Sequence, residues 1–170
     1  MHKNSDTDRP TTDHVDVLLR QWQQERPDLD CWPMAVLGRV GRMAALAGRE
    51  IDDELKRQGL AAGEFDVLAT LRRNAVPLTP TALYQSSMLS SGAMTARLDR
   101  LERQGWIRRL PSPTDRRSLL VELTAEGKAL TDRALQAHVD NERRLLAPLS
   151  QEQQQQLADL LRQWLLAHEA

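Results

Sequence analysis

Residues 114–124 read TDRRSLLVELT. An acid and two arginines stand directly before a run in which Leu119, Val121 and Leu123 alternate with Leu120 and Glu122. That alternation is the period-two pattern of a strand with one buried face. Upstream, Trp106-Ile107 opens an extended segment, and Pro111-Ser112-Pro113-Thr114-Asp115 is a turn cluster. Residues 106–124 therefore read as a β-hairpin with Asp115, Arg116 and Arg117 at its tip.

Before the hairpin the pattern is helical. Thr79 is a candidate N-cap with Pro80 at the first helical position, opening a short helix that ends near Met88. Ser90-Ser91-Gly92 is a turn and cap signal. From Ala93 to Gln104, Met94, Leu98 and Leu101 share one face, and Gly105 is the stop. Helix, turn, helix, strand, turn, strand is the order of a winged helix, and such units place their second helix in the DNA major groove.

Local charge agrees with that topology. The chain of 170 residues carries a formal net charge of −1, which alone gives no sign of nucleic-acid binding. Between Arg97 and Arg117, however, seven arginines face three acids, Asp99, Glu102 and Asp115. Local basicity is what phosphate binding requires. Asp99–Arg103 and Glu102 read as ordinary intrahelical pairing, whereas Arg108 and Arg109 on the hairpin read as unpaired. Arg116 and Arg117 on a projecting tip suit a minor groove, whose negative potential favours guanidinium groups. Asp115 is expected to pair with a nearby arginine and fix the shape of the tip.

The flanks are helical. Val15, Leu18, Leu19 and Trp22 suggest a short helix ending near Pro27. Val36, Val40, Met43, Ala47, Ile51 and Leu55 form one stripe of a long helix, about 34–58, with Gly59 as its stop. Phe65, Leu68 and Leu71 mark a core helix over 64–73. Thr124 caps a helix running to about Leu146, and Glu126 suits its positive N-terminus. Ser150 caps the last helix, whose stripe of Leu157, Leu160, Leu161, Trp164 and Leu165 calls for a partner, such as another subunit. The predicted fold is mainly α with a small β wing. Residues 1–12 are expected to be a disordered tail, 13–58 N-terminal dimerisation and ligand-pocket helices, 59–124 the winged helix-turn-helix, and 125–170 C-terminal dimerisation helices.

Other functions find little support. No apolar run approaches the ~20 residues of a bilayer span, and the polar start lacks a secretory signal, so a cytoplasmic location is expected. There is no P-loop, Gly-rich dinucleotide turn, H-E-x-x-H or nucleophile elbow, so no enzyme and no cofactor is expected. The histidines at 2, 14, 138 and 168 have no ligand spacing, so no metal is expected. Cys31 is the single cysteine, which leaves a thiol sensor or a small apolar residue; Asp28 and Asp30 beside it disfavour a thiolate.

The segment SSGAMTARLDRLERQGWIRR at 90–109, then DRRSLLVELTAEGKAL from Asp115, resembles the MarR family of bacterial transcription regulators: the DRR wing motif, the helix before it and T-x-E-G-x-x-L after it all match. The resemblance covers about 34–168. It implies a homodimer joined by N- and C-terminal helices, and a palindromic double-stranded DNA operator beside the regulator's own gene and a neighbouring one. It further implies repression relieved by a small ligand. By position, Ser90, Ser91, Met94 and Thr95 occupy the front of the recognition helix, with Met94 alternatively in the core. Arg100 is placed to contact the DNA backbone, and Arg116 and Arg117 match the wing-tip arginines.

A narrower resemblance, to the PecS branch with its urate-responsive members, rests on the added helix with Trp22, then ERPDLD and Pro33-Met34. It implies a urate site from Trp22, Asp66, Arg97 and Arg109. A flat anion stacks on an indole and binds guanidinium groups, and an Asp66–Arg97 pair would couple ligand to the recognition helix. The bland alternatives are packing for Trp22 and a structural salt bridge for the pair. Other carboxylate or phenolic ligands, aconitate among them, and oxidation of Cys31 stay open.

Overall fold

The computed structural model describes residues 11–86, 94–113 and 118–169. The chain divides into two compact units, residues 1–48 and 49–170, and the division falls inside a single helix. The expected tail lies outside the described residues except for Thr11 and Thr12.

In the first unit, helix α1 runs His14–Glu25, and helix α2, Pro33–Arg57, begins. Asp13 caps α1: its carboxylate accepts from Asp16 N at 3.0 Å while Asp13 N donates to Asp16 at 2.8 Å. The Asp16 amide and Arg39 hold the Asp13 carboxyl below the usual carboxylate range. Arg39 of α2 reaches both acids, at 2.8 and 2.6 Å, and so ties the start of α1 to α2. Val15 and Ala35 are buried between the helices. The predicted apolar stripe of α2 is not buried along its length: Val36, Val40 and Met43 are exposed, and only Leu55 enters a core.

The second unit holds that core. Helix α3 is Ala62–Asn74, α4 Pro80–Ser86 and α5 Met94–Arg103. Strands β1 (Ile107–Pro111) and β2 (Leu119–Leu123) form an antiparallel pair with Arg109 opposite Val121, and Leu78 adds a single bridge to Val121 from the other side. Helix α6 spans Ala125–Leu146 and α7 Gln151–Leu166. Leu55, Leu68, Leu83, Leu98, Leu101, Ile107 and Val121 are almost wholly buried together, so each element from the end of α2 to β2 contributes at least one anchor. Each such side chain stabilises by about 1.5–3 kcal/mol. Gly59 and Gly105 take positive φ at helix ends, as their positions suggested.

Two polar devices place α6. Thr124 caps it, accepting from Gly127 N at 3.0 Å and donating to Gly105 O at 2.6 Å. Further along, Asn141 Nδ2 donates to Glu50 O at 3.2 Å and Arg144 pairs with Glu50 at 2.8 Å, fastening α6 to the end of α2. Helix α7 has a full capping box at Ser150 yet no buried residue; Leu160, Leu161, Trp164 and Leu165 are exposed. The predicted stripe is there, and its own chain leaves it uncovered.

Two backbone positions yield measurable expectations. A Cβ on Gly127 would stand 1.8 Å from Trp106 O, so the hairpin lies directly on α6. Gly127→Ala should cost about 3 kcal/mol, the upper end for overpacking against backbone, seen as a melting temperature lower by roughly 6–12 °C. Ala75 ends α3 at φ 57, the described non-glycine residue with positive φ. Ala75→Gly should stabilise by about 1 kcal/mol in denaturant titration, since glycine carries no left-handed penalty.

Candidate nucleic-acid interface

The helix-turn-helix is positioned from beneath. Thr79 Oγ1 accepts from Ala82 N at 3.1 Å, capping α4 as expected, and Arg73 donates to Ser86 O at its far end. Leu83, Leu98 and Leu101 lock α4 and α5 onto α3. On α5, Thr95 is exposed. Met94 is 7% exposed and belongs to the core. The groove-facing role is thereby corrected in favour of the core alternative, because Met94 sits on the same face as Leu98 and Leu101. Ser90, Ser91, Asp115, Arg116 and Arg117 lie outside the described residues.

Arg100 also differs from expectation. The sequence reading gives it to the DNA backbone; the structure gives its Nε to Glu64, at 2.7 Å. Glu64 is 3% exposed, and a carboxylate that deep requires a charged partner. The same Glu64 accepts from Ala61 N at 2.9 Å, capping the start of α3. One buried acid therefore serves both the first turn of α3 and the recognition helix. One turn earlier on α5, the guanidinium of Arg97 lies over Gly63, so close that a Cβ there would fall 2.5 Å from its Nε. Arg97 Nη1 is buried with no hydrogen-bond partner among the described residues. Asp66 is half-buried two residues beyond Glu64.

The hairpin arginines are paired, contrary to their reading from sequence. Arg108 bonds Glu122 on the facing strand. Arg109 reaches Asp99 at 2.6 Å and Glu102 at 2.8 Å, and its own N–H donates to Glu102 at 3.1 Å. Asp99 and Glu102 thus bind the wing to α5, while Arg103 donates instead to the Asp99 carbonyl at 3.3 Å. A planar guanidinium serves two carboxylates at once, which the intrahelical pairing did not anticipate. Toward the tip, Ser112 N donates to Ser118 O at 2.9 Å, continuing the ladder. Trp22 belongs to the first unit and is 43% exposed.

The comparisons agree with this geometry. The MarR family model matches residues 60–119, and the regulator PecS of Dickeya dadantii is 44% identical over 149 residues, 86% of this chain and 90% of its own. The chain belongs to the MarR family. MarR of Escherichia coli is 37% identical over 101 residues, 59% of this chain and 69% of its own. A cysteine-to-serine variant of that protein, solved with operator DNA, matches with a TM-score of 0.68 at 31% identity, covering 81% of this chain and 99% of that one. A MarR-like protein of Bacillus cereus reaches 0.72 at 19% identity, covering 82% and 99%, and supports the fold alone. These relatives are transcription regulators, not enzymes. Among the described residues no helix is long and apolar enough to cross a membrane, and no cluster of potential metal ligands occurs.

Glu64 and the pair Asp99–Glu102 are functional residues that the sequence reading missed. Glu64 three residues after Ala61 carries half of a capping signal, which was the available clue. Gly63→Ala isolates the Arg97 contact. It should leave melting unchanged or raise it by roughly 2–4 °C, since alanine is favoured over glycine in helices by about 1 kcal/mol. The methyl should also push the flexible guanidinium off α3, shifting its Nε–Hε resonance. An unshifted resonance contradicts the close packing.

Proposed function

We propose that the chain is a dimeric, DNA-binding repressor of its own and a neighbouring gene, released from a palindromic operator by a small anionic ligand such as urate. What carries the reading is the rigid join of α5 to the hairpin: Arg109 bridges them, and arginine outnumbers acid along both. A helix and a wing held as one body can read a major groove and reach an adjacent minor groove together. In this reading Ser90, Ser91 and Thr95 face the major groove, and Arg116 and Arg117 enter the minor groove, with Asp115 shaping the tip. The E. coli relative solved on operator DNA supports it.

The exposed apolar residues of α2 and of α7 support a second copy as partner, with residues 13–58 and 125–170 in the dimer contact. Two recognition helices then meet half-sites about one DNA turn, ~34–36 Å, apart. For the ligand, the resemblance assigns Trp22 in the first unit and Asp66, Arg97 and Arg109 in the second. The 44% identity to PecS supports that branch.

A mobility shift on DNA upstream of the chain's own gene, titrated with urate at fixed salt, tests both halves. Specific binding released by urate is expected, with release lost in Asp66→Asn. Arg116→Ala with Arg117→Ala should weaken binding at least tenfold and flatten the log–log salt dependence by about two, with the dimer intact by sedimentation. Unchanged binding at ordinary salt would sink the wing assignment; specific binding indifferent to urate would remove the ligand and keep the regulator.

A further inference from the structure

The first unit contains a cleft of about 250 Å³ between α1 and α2, walled by Leu18, Leu19 and Trp22 of α1 and by Met34, Gly38 and Arg42 of α2. Its surface is predominantly aliphatic and aromatic. Gly38 presents no side chain opposite Val15; a methyl there would reach Val15 at 3.4 Å and take up part of the space. The volume lies just under the ~300–1,000 Å³ usual for small-molecule sites, so it suits one small ring system rather than a chain or a peptide.

Two arginines one turn apart on α2 are treated differently. Arg39 is consumed, with Asp13 and Asp16 on its guanidinium and a further bond to Ala35 O at 3.0 Å. Arg42 makes no hydrogen bond or ion pair among the described residues, and it lines the cleft. Trp22 is 43% exposed at the same cleft, so packing does not use up its ring. An indole face beside an uncommitted guanidinium, in an otherwise apolar hollow, offers what a planar aromatic anion needs. The ring gains stacking and burial, and the charge gains a forked donor.

We propose that the α1–α2 cleft binds the ring of a small planar aromatic anion, with Trp22 as its stacking face and Arg42 as its charge partner. This rests on the ligand-release reading above and adds to it Arg42, which the resemblance does not assign.

The test uses the full chain with urate and salicylate as probes, by calorimetry and tryptophan fluorescence. Arg42→Gln should weaken the bound anion at least tenfold and make the residual affinity nearly indifferent to salt. Arg42→Lys should recover part of the loss, and Trp22→Leu should weaken binding and remove the quenching, with melting and sedimentation unchanged in all three. Wild-type affinity in Arg42→Gln overturns the proposal. So does failure of both probes to bind the wild type, or a changed oligomeric state in Arg42→Gln, which would make the cleft part of a subunit contact. Urate release of operator that survives Arg42→Gln but not Asp66→Asn overturns this inference and keeps the release reading. Arg42-dependent anion binding with no effect on operator does the reverse.

Discussion

The bond set of Arg109 is the constraint on which the reading unit depends. A two-stranded hairpin is marginal by itself in water. Here β1 is held at its middle residue by two carboxylates of α5, at 2.6 and 2.8 Å, and a backbone donor binds one of them again. Ile107 and Val121 add the apolar anchor, and the contact of Gly127 with Trp106 O closes the other side. Orientation of the wing relative to the recognition helix is thereby a property of side chains in both elements, not of the turn between them.

Beneath the helix, the first turn of α3 performs a comparable service. Glu64 neutralises Arg100, and Gly63 leaves room for Arg97. Both arginines of α5 therefore lean on three successive residues of another helix. Any displacement of that turn is transmitted to α5 through a buried charge pair, where breaking one partner is strongly unfavourable.

Much of the fold was legible because its signals are local. Thr79, Thr124 and Ser150 cap the helices they were expected to cap, and Leu119–Leu123 pairs in the register its alternation suggested. Burial was less legible. Val36 and Val40 belong to an apolar stripe as regular as that of α5, yet they are exposed, because periodicity reports a face and says nothing of what covers it. Charge pairing was the least legible. Arg109 and Asp99 stand ten residues apart and meet only because a hairpin folds back on a helix. Arg100 looks like any solvent-facing arginine until Glu64, thirty-six residues earlier, is seen to be buried. Trp22, Asp66 and Arg97 were reached through resemblance, and the first unit added a neighbour, Arg42, that no motif marks.

Helix α7 carries one further implication. It has sixteen residues, and none is buried. Isolated helices of that length are marginal in water, so its order is borrowed from whatever its leucines and Trp164 meet. On the dimeric reading, a chain without a partner carries a fraying, leucine-rich terminus of the kind proteases cleave first. Pairing would then govern lifetime as well as symmetry: surplus single chains would be cleared while assembled ones persist, and the pool available to the genome would consist of complete readers.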